Sequence, residues 1–495
     1  MRTIAEVLRW RARRHPSLDA VWYAGQSQTY AELDASSSLL AGGLAGELGL
    51  QPGERVAILD KNCAAYLEIF FALDKAGLVA APINWRLTAS EVKLIIDDMK
   101  PKLIVTGPEF KATGLASGVP TMTFDELPRG GEDPRRDVDG AVSTQFCTSG
   151  TTGLPKGATL TGWNVLNVGI CLAREIPEIR EGGRHLVCLP LFHIGGAGWA
   201  IWAMQGGSAA IIVRETAPEQ LLNTMVEQKV ETALWAPTLM LFICELPAAR
   251  TADFSALKHI TYGTAPISPD LLRRSIETFK CRFSQLYGLT ETTGPITALA
   301  HEHHTGERLL SCGRPMFGGR VRVVDADGND LPPRQVGEIL YQGESLMAGY
   351  WQREKETAHA IRDGWLHTGD AGFLDEEGFI FLKDRVKDMI VSGGENVYPA
   401  EVEAVLMGHS EVLECAVIGV PDPKWGETVK AVVVRRTGTN LSETALIEWS
   451  RDKLAGFKRP RSVDFMEVLP RNASGKLLKR TLREPYWAGY ARRVN

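Results

Sequence analysis

The stretch 148-TSGTTGLPKGATLT-161 combines hydroxyl side chains, three glycines and one lysine within a short run. Glycine lets backbone N–H groups turn toward an anion, and hydroxyls and an ammonium group complement them, so the run predicts a phosphate-binding loop. It fails the Walker pattern G-x-x-x-x-G-K-[ST], because Pro155 stands where the second glycine is required and Gly157 follows Lys156. The alternative is a flexible Gly/Ser/Thr connector.

Short apolar runs alternate with amphipathic stretches on both sides of this loop. The runs include 55-RVAILD-60, 209-AAIIV-213 and 232-TALWAP-237, and 218-PEQLLNTMVEQKV-230 is one of the amphipathic stretches. Buried strands that alternate with helices predict a mostly parallel sheet covered by helices. We therefore expect an α/β fold, with a large N-terminal domain of helix-covered parallel sheets.

After residue 310 the pattern changes to that of paired antiparallel strands. The run 320-RVRVVDADGNDLPP-333 is followed by 337-GEILYQG-343, and DADGND is typical of a turn between two strands. We predict an antiparallel β-subdomain over about 310–383, still within the N-terminal part of the chain.

A third pattern begins near 384-DRVKDMIVSGGENVYPAEVEAVL-406, where a Gly-Gly pair precedes a helix that opens at Pro399. The residues that follow have a small α+β pattern of their own, with a helix predicted over 441–455. We therefore predict an N-terminal domain over 1–386 and a small, mobile α+β C-terminal domain over 387–495.

The composition is that of a globular protein. A chain of 495 residues is too long for one ordinary core, so two or more domains are expected. The net charge of -5 gives no reason to expect nucleic acid as a partner. The eight cysteines are scattered without a CxxC pair, which indicates reduced core thiols rather than a disulfide framework or zinc site and favours a cytoplasmic setting.

Two segments bear on targeting and on membranes. The segment 1-MRTIAEVLRWRARRHP-16 has arginines but no apolar core, so it predicts an amphipathic helix ending at Pro16; an Arg-rich organelle transit peptide is the alternative. The segment 194–213 has no charged residue and is long enough to span a bilayer. Because Gly206 and Gly207 divide it, we predict a buried core element and no transmembrane segment, and peripheral membrane contact stays open.

Four further strings follow the loop along the chain: 287-YGLTE-291, 368-TGD-370, 384-DRVKDMIVSGGENVYPAEVE-403 and 471-RNASGK-476. With the loop they resemble the signature strings of the adenylate-forming enzymes, and among these the fatty-acid–CoA ligases and the 4-coumarate or feruloyl–CoA ligases. The resemblance covers nearly the whole chain. It implies that a carboxylate attacks the α-phosphate of ATP, and that the thiol of coenzyme A then attacks the acyl carbon and releases AMP. Kinases and P-loop NTPases, the competing interpretation, have motifs that this chain lacks.

The resemblance assigns a role to each residue of a nucleotide site. Thr290 would contact the phosphates, and Glu291 would hold Mg²⁺. Asp370 and Arg385 would bind the ribose, with Tyr287 beside adenine. Without the resemblance, Thr290 and Glu291 would be interpreted as a capping pair at a helix start. Asp370 would be a turn aspartate, Arg385 a solvated arginine and Tyr287 a core tyrosine. The remaining expected ATP contacts are Thr148, Ser149, Gly150, Thr151, Thr152, Lys156, Thr264, Ala265, Pro266 and Gly288.

In the C-terminal part the resemblance makes Lys476 the catalytic lysine, which bridges the carboxylate and the α-phosphate during adenylation. Lys387 matches the hinge position of the family, and Gly393, Gly394 and Glu395 would lie near the pantetheine of coenzyme A. One site would run both reactions if the small domain presents the lysine first and then rotates. The alternatives are a basic helix start at 476–480 and an ordinary Gly-Gly turn.

The acyl pocket is predicted around 190-PLFHIGGAG-198, where His193 resembles a catalytic histidine between the pocket and the thiol channel; a core histidine is the alternative. Amino-acid-activating relatives carry an aspartate there, because a substrate ammonium needs an anionic partner, so an amino acid is not expected. Thr264 stands where the family commonly has glycine, which is expected to reshape the pocket. The predicted walls are Ile194, Gly195, Trp199, Trp235, Ala236, Thr238, Leu239, Tyr262 and Thr264.

These mostly apolar walls predict a medium- or long-chain fatty acid, and a phenylpropenoid acid such as coumarate or ferulate is the alternative. The expected cofactors are ATP, Mg²⁺ and coenzyme A as co-substrate, with a small-molecule carboxylic acid as partner and a monomer or homodimer as the assembly. A further alternative is adenylation with no coenzyme A step, as in a luciferase-type oxygenase or a carrier-protein loading module. The cluster 301-HEHH-304 lacks the spacing of a helical zinc site, and we predict a solvated loop there.

Overall fold

A computed structural model of the chain describes residues 1–148, 155–265, 267–385, 388–392, 395–471 and 477–488, with only the backbone given at 384, 385 and 396. The first half of the large domain runs in this order: α1 (Ile4–Arg14), β1 (Asp19–Tyr23), β2 (Gln26–Thr29), α2 (Tyr30–Gly46), β3 (Arg55–Leu59), α3 (Ala64–Lys75), β4 (Val79–Pro82), α4 (Ala89–Met99), β5 (Leu103–Thr106), α5 (Lys111–Leu115), β6 (Thr121–Thr123), β7 (Val142–Thr148) and β8 (Lys156–Thr161).

The second half alternates helices and strands, as the apolar runs predict. Its elements are α6 (Gly162–Glu175), β9 (Arg184–Val187), α7 (Ile194–Gly206), β10 (Ala209–Ile212), α8 (Pro218–Glu227), β11 (Thr232–Trp235), α9 (Pro237–Glu245), β12 (His259–Gly263), α10 (Pro269–Phe279), β13 (Arg282–Leu289), β14 (Gly294–Leu299) and β15 (Arg314–Pro315).

A region of antiparallel strands and then the small C-terminal part complete the chain. The antiparallel region contains β16 (Arg320–Val324), β17 (Gly337–Gln342), β18 (Gly349–Tyr350), α11 (Glu354–Ala360), β19 (Ile361–Arg362), β20 (Trp365–Leu374) and β21 (Ile380–Arg385). The C-terminal part contains β22 (Ile390–Ser392), β23 (Glu395–Val397), α12 (Pro399–Leu406), β24 (Val412–Asp422), β25 (Gly426–Arg435), α13 (Glu443–Trp449), β26 (Ser462–Phe465) and α14 (Lys479–Trp487).

Two largely parallel sheets form the centre of the large domain. One has the strand order β15-β14-β13-β12-β11-β9-β10-β1-β2, and the other has the order β18-β8-β7-β4-β3-β5-β6. Neighbouring strands of the first sheet pair in parallel from β1 through β13. Apolar side chains on its two faces pack into separate clusters. The predicted α/β fold with helix-covered parallel sheets is confirmed.

The antiparallel sheet contains β16, β17, β20, β19 and β21, so the predicted hairpin at 320–342 is present. The C-terminal sheet contains β23, β22, β25, β24 and β26, with its own buried cluster of mostly branched apolar residues. The predicted boundary at Lys387 lies outside the described residues. The small, mostly antiparallel C-terminal unit agrees with the α+β prediction.

Several local predictions can be compared directly with the structure. Helix α1 begins at a capping box formed by Thr3 and Glu6 and ends before Pro16, as expected. All eight cysteines are free, and most are buried. The segment 194–213 is a buried helix followed by a strand, and no helix in the described ranges has the length and apolarity needed to cross a bilayer.

The helix predicted over 441–455 is too long, because α13 ends at Trp449. The hydroxyl of Ser450 donates to the carbonyl of Ile447 at 2.7 Å, a side-chain bond that competes with helix continuation. Hydrophobic periodicity does not reveal this competition, and the prediction was wrong by about one and a half turns.

Asp74 is a buried carboxyl that makes the stability of the large domain depend on pH. Its two oxygens accept hydrogen bonds from the backbone N–H of Ala5 at 2.7 Å and from the hydroxyl of Ser143 at 2.6 Å. Burial nevertheless raises its pKa from 3.8 to about 6. Because the folded pKa exceeds the unfolded value, the carboxyl stabilises the fold most below about pH 4, and this contribution is lost as the pH rises through about 6.

We expect Asp74→Asn to be more stable than the wild type at neutral pH, by about 3 kcal/mol, because the amide carries no buried charge. The amide oxygen can accept from the Ala5 N–H while the amide NH2 donates to the Ser143 hydroxyl oxygen. The difference in free energy of unfolding should shrink as the pH falls toward about 4. Urea unfolding of both proteins at several pH values between about 4 and 7 measures this difference in free energy of unfolding. The exposed Asp139, changed to Asn, is the matched control and should show no such trend. A difference that does not vary with pH would contradict the assignment.

Candidate active site

The predicted site residues gather at one edge of the first sheet. His193 follows β9, Thr238 follows β11, Thr264 follows β12, and Thr290 follows β13, and these four strands are parallel neighbours. Parallel strands present their carboxyl ends at the same edge, where open α/β sheets bind ligands. The fold thus brings together residues that lie up to about a hundred positions apart in the chain.

The phosphate-loop stretch connects two paired strands of the second sheet. Antiparallel β7 and β8 place Thr148 opposite Lys156, and the Thr148 hydroxyl donates to the Lys156 carbonyl at 3.3 Å. Ser149, Gly150, Thr151 and Thr152, the remaining predicted loop contacts, lie outside the described residues.

The segment that follows β13 is held rigidly by threonine hydroxyls. A bulge occurs between Tyr287 and Gly288, and a Cβ atom at Gly288 would lie 1.9 Å from the carbonyl oxygen of Gly294, so only glycine fits. Thr292 accepts from the N–H of Leu289 at 2.9 Å and donates to the carbonyl of Gly294 at 2.6 Å. These bonds fix the short 3-10 turn Thr290–Thr292, which carries Thr290 and Glu291.

Tyr350 joins two predicted site residues from different sheets. Its hydroxyl donates to Oε1 of Glu291 at 2.8 Å. Its ring lies under the Lys156 ammonium, with Nζ 5.1 Å from the ring centroid, a distance at which cation–π attraction acts. The predicted Mg²⁺ carboxylate and the predicted phosphate lysine are therefore close together, with one tyrosine between them.

The string 368-TGD-370 lies within β20 and includes a buried aspartate. Gly369 has a φ of +68°, a conformation that favours glycine, and the Asp370 N–H donates to the Thr368 hydroxyl at 3.1 Å. The Tyr287 hydroxyl donates to Oδ2 of Asp370 at 2.7 Å. Asp370 is also the register partner of Arg385 across β20 and β21, although the Arg385 side chain lies outside the described residues.

Glu338, on the neighbouring strand β17, supports this part of β20. One carboxylate oxygen accepts from the Gly369 N–H at 3.1 Å, and the other contacts Nδ1 of His367 at 2.9 Å. Sequence reasoning did not single out Glu338 or Tyr350. Each lies in an ordinary strand pattern and becomes significant only through pairing with a distant strand.

Thr264 adopts a strained backbone conformation at the edge of the site. Its φ is +68°, and the side chain is exposed. A β-branched residue is a genuine outlier in the left-handed region, at a cost of about 1–2 kcal/mol. This conformation explains the glycine that the resembling family commonly has at this position. Ala265 is half-buried beside it, and Pro266 lies outside the described residues.

We expect Thr264→Gly to leave the free energy of unfolding unchanged or to raise it by up to about 1 kcal/mol, because glycine relieves the strain while costing backbone entropy. Thr264→Ala keeps a Cβ atom and is the matched control, with no gain expected. Urea unfolding of both variants measures the difference. A loss of more than about 1 kcal/mol in the glycine variant would show that the threonine side chain stabilises the turn.

His193 caps the helix at the acyl side of the edge. Its Nδ1 accepts from the Gly195 N–H at 3.1 Å, at the start of α7. An accepting Nδ1 leaves the proton of a neutral imidazole on Nε2. The side chain is half-buried, and this capping role accounts for its position without requiring a ligand.

The predicted pocket walls divide between the two faces of the first sheet. Ile194 and Trp199 pack in the cluster that contains Leu234. Trp235 and Tyr262 pack in the cluster on the other face, where Trp235 meets the ring of Phe279 edge to face with centroids 5.2 Å apart. Both Trp235 and Tyr262 have 0% exposure, so the structure places them in the core rather than at the cleft. Among the remaining walls, Gly195, Thr238 and Leu239 are half-buried, whereas Ala236 is buried.

The prediction of a solvated loop at 301–304 was partly wrong. Nε2 of His304 lies 3.0 Å from the Tyr262 hydroxyl, and burial lowers the pKa of His304 to about 4. His301 accepts from the Phe283 N–H at 3.1 Å. Within the described ranges, no group of three or more His, Cys, Asp and Glu side chains is placed to hold a metal ion.

A cationic and aromatic patch lies near the end of β9, which precedes His193. Arg86 stacks over Trp85 at 4.3 Å, and Lys61 lies 5.2 Å from the same ring. Trp85, Arg86 and Arg214 border a small cavity. Cys188 and Pro190, just before the His193 segment, also line it. Arg214 and Lys61 have carboxylate partners in Asp60, Glu109 and Glu215.

In the C-terminal part, β22 and β23 pair so that Ser392 lies opposite the exposed Glu395. The segment after 476 is tied to α12 by an ion pair of 2.9 Å between Lys479 and Glu403. Glu403 also accepts from the Val417 N–H at 2.7 Å. The predicted residues Lys387, Gly393, Gly394 and Lys476 lie outside the described residues.

The residues that are described suit a magnesium–polyphosphate group. Glu291 supplies a half-buried carboxylate on a rigid turn, and Mg²⁺ in phosphate sites is commonly held by one or two carboxylates plus phosphate oxygens. Lys156 supplies a positive charge nearby, and Asp370 supplies a carboxylate with the acceptor capacity for hydroxyl donors.

Comparison with known proteins gives matches over the full chain. The family model described as AMP-binding enzyme matches residues 8–351, and the model described as AMP-binding enzyme C-terminal domain matches residues 401–476. A fatty acid–[acyl-carrier-protein] ligase of Streptomyces coeruleorubidus is 38% identical, with 100% of this chain and 98% of the relative covered. A feruloyl-CoA synthase of an Amycolatopsis species is 39% identical, with 96% and 97% covered.

A solved structure is similar over the same length. The o-succinylbenzoate CoA synthetase of Bacillus subtilis, in complex with its acyl-adenylate intermediate, superimposes with a TM-score of 0.87. It shares 32% sequence identity, and the match covers 98% of each chain. The similarity therefore includes both the large domain and the small C-terminal part.

Proposed function

The chain belongs to the family of AMP-binding enzymes, and from that premise we propose that it joins a medium- or long-chain fatty acid to the thiol of coenzyme A. The enzyme is an AMP-forming acid–thiol ligase that uses ATP, Mg²⁺ and a thiol co-substrate. The observation that supports the assignment most is that Tyr350 contacts both Glu291 and Lys156.

In the proposed first half-reaction, a carboxylate oxygen of the acid attacks the α-phosphorus of ATP and pyrophosphate leaves. Lys156 and Thr290 would neutralise and orient the departing phosphates, and Mg²⁺ held by Glu291 would supply further charge neutralisation. Asp370 and Arg385 would hold the ribose, with Tyr287 beside adenine. Lys476, which we place in this step through the family strings, would bridge the carboxylate and the α-phosphate.

In the proposed second half-reaction, the thiol sulfur attacks the acyl carbon, the bond between that carbon and the AMP oxygen breaks, and the thiol proton is lost to solvent or a base. Movement of the C-terminal domain about Lys387 would withdraw Lys476 and bring Gly393, Gly394 and Glu395 toward the thiol. His193 would lie between the acyl group and the thiol channel. We propose 1–386 and 387–495 as the two moving units.

The proposed fatty acid is supported by four uncharged residues at the acyl side of this edge. Among the described residues at this edge, Ile194, Gly195, Thr264 and Ala265 have no ionisable side chain. These four residues offer no charged partner to a second carboxylate or an ammonium group on the acid. Trp235 and Tyr262, being fully buried, would limit the pocket only from beneath.

A phenylpropenoid acid is the second candidate. The feruloyl-CoA synthase of Amycolatopsis is as similar to this chain as the fatty acid ligase of Streptomyces is. A flat aromatic acid would need the same uncharged walls, so the described residues support either acid. One methylene group more or less on an acid changes its binding in an apolar pocket by only about 1–3 kcal/mol.

The proposed coenzyme A acceptor is supported by Arg86 and Trp85, which line the cavity near the His193 segment. Arginine and lysine suit phosphate groups, and an indole ring suits an adenine base. A carrier protein brings its own phosphopantetheine but no adenosine phosphates. The patch therefore favours free coenzyme A over a carrier protein as the thiol donor.

One panel of reactions tests these proposals together. Purified enzyme is given ATP, Mg²⁺ and each of hexanoate, dodecanoate, palmitate, 4-coumarate and ferulate, with succinate and phenylalanine as negative controls. The acceptors are coenzyme A, dephospho-coenzyme A and a holo acyl-carrier protein. We expect the highest kcat/KM with a fatty acid and coenzyme A. A higher kcat/KM with 4-coumarate or ferulate would show that the substrate is a phenylpropenoid acid rather than a fatty acid. A higher kcat/KM with the holo acyl-carrier protein would show that this protein, rather than coenzyme A, supplies the thiol.

A further inference from the structure

Tyr350 contacts both charged groups that the proposed mechanism assigns to the phosphates. Its hydroxyl donates to Oε1 of Glu291 at 2.8 Å, and its ring centroid lies 5.1 Å from Nζ of Lys156. These contacts join β18, the turn after β13 and the first residue of β8, which belong to three distant segments of the chain. The Tyr350 side chain thus contacts both the Glu291 carboxylate and the Lys156 ammonium group.

The backbone of Tyr350 is anchored on both sides. In the β18–β8 pair, Tyr350 is the register partner of Ala158, and Gly349 is the partner of Thr159. The Tyr350 N–H donates to the Thr357 hydroxyl at 2.9 Å, and the Thr159 hydroxyl donates to the Gly349 carbonyl at 2.7 Å. These bonds hold the residue in place independently of its phenol group.

Glu291 and Lys156 carry opposite charges and contact the same phenol side chain. Both residues are described, and no ion pair joins them within the described ranges. A direct pair would neutralise the two groups that a metal–polyphosphate substrate needs separately. The phenol gives each group a different partner instead, because the hydroxyl donates to the carboxylate and the ring face attracts the ammonium.

A donated hydrogen bond also orients the carboxylate. It occupies one lone pair of Oε1 and leaves the remaining lone pairs of Glu291 for a metal. Groups that hydrogen-bond to a metal ligand fix its orientation, and their removal typically weakens metal binding about 10–100-fold.

We propose that Tyr350 is a positioning residue, which holds the Glu291 carboxylate in its metal-binding orientation and keeps Lys156 from pairing with it. The proposal rests on the proposed function, because it assumes that Glu291 receives Mg²⁺ on a bound polyphosphate. Tyr350 itself touches neither the acid nor the thiol in this account. Its effect is confined to the adenylation half-reaction.

Tyr350→Phe tests the hydroxyl alone, since it keeps the ring beneath Lys156. Binding of Mn²⁺ is titrated by electron paramagnetic resonance in the presence of α,β-methylene ATP, which binds but cannot release pyrophosphate. We expect the Mn²⁺ dissociation constant to rise about 10-fold. Adenylation should need correspondingly more Mg²⁺, whereas conversion of supplied acyl-adenylate to thioester should keep its wild-type rate. Tyr350→Leu also removes the ring and should raise the dissociation constant of α,β-methylene ATP as well.

Tyr30→Phe is the matched control, because it removes a buried tyrosine hydroxyl that donates to the carbonyls of Met204 and Ser208 and touches no site residue. It should leave Mn²⁺ binding unchanged. Wild-type Mn²⁺ affinity in Tyr350→Phe, equal losses in both half-reactions, or failure of this variant to fold would overturn the proposal. A wild-type enzyme that forms no pyrophosphate would instead refute the proposed function.

Discussion

Replacement of Lys476 by alanine is expected to slow acyl-adenylate formation about 10²–10³-fold, because the transition state loses a positive charge that bridges the carboxylate and the α-phosphate. The second half-reaction does not place this charge beside the reacting atoms. Conversion of chemically prepared acyl-adenylate and coenzyme A to thioester should therefore stay near the wild-type rate.

The measurement is a comparison of two assays on the same protein: acid-dependent exchange of pyrophosphate into ATP, and single-turnover thioester formation from the acyl-adenylate. Arg480→Ala is the matched control, since it removes a neighbouring exposed charge whose partner is Glu484. It should leave both rates unchanged. Equal losses in the two half-reactions would contradict the role given to Lys476.

The second large effect is expected at Glu291. Glu291→Gln keeps the shape of the side chain and can still accept from Tyr350, but it removes the negative charge that attracts Mg²⁺. We expect the Mg²⁺ concentration for half-maximal adenylation to rise about 100-fold, which is at the upper end of the effects seen when metal-site partners are lost. The rate of the second half-reaction should not depend on this change.

Mg²⁺ titration of pyrophosphate exchange measures the effect, and Mn²⁺ binding with α,β-methylene ATP checks it without turnover. The exposed Glu344, whose carboxylate accepts from Trp163, provides the matched control as Glu344→Gln. If Glu291→Gln needs no more Mg²⁺ than the wild type, Glu291 does not hold the metal and another carboxylate must do so.

Much of the fold follows from local patterns. The apolar runs at 55–60, 209–213 and 232–237 are strands, and the helix that starts at Pro399 begins where the proline indicates. These predictions hold because strand burial and helix capping are decided by neighbouring residues. The end of α13 was not predictable from periodicity, since it depends on a hydroxyl bond of Ser450.

The site was predictable only in part. The strand ends that carry His193, Thr264 and Thr290 follow from the parallel topology. The sequence could not show which face of the sheet each wall residue occupies, and so Trp235 and Tyr262 were grouped with Trp199 although they pack on the opposite face. Tyr350 escaped notice because its contact with Glu291 depends on strand pairing between distant segments.

Backbone strain accounts for the significance of Thr264, which the sequence shows only as a difference from the resembling family. Thr264 differs from the glycine of the resembling family, and its φ of +68° shows why glycine suits the position. Thr293, close to the Glu291 turn, is a second threonine with a positive φ, and its hydroxyl donates to the Ser345 carbonyl at 2.6 Å. Strained residues of this kind cluster at functional sites, where surrounding contacts hold them.

The central claim is that the acid is activated as an adenylate before the thiol attacks. An acid from the panel that yields thioester is labelled with oxygen-18 in its carboxylate, and the nucleotide products are analysed by mass spectrometry after turnover with coenzyme A. We expect AMP to carry a single oxygen-18 atom and pyrophosphate to carry none, because the carboxylate oxygen bonded to the α-phosphorus stays on AMP. Formation of ADP with the label in inorganic phosphate would contradict it.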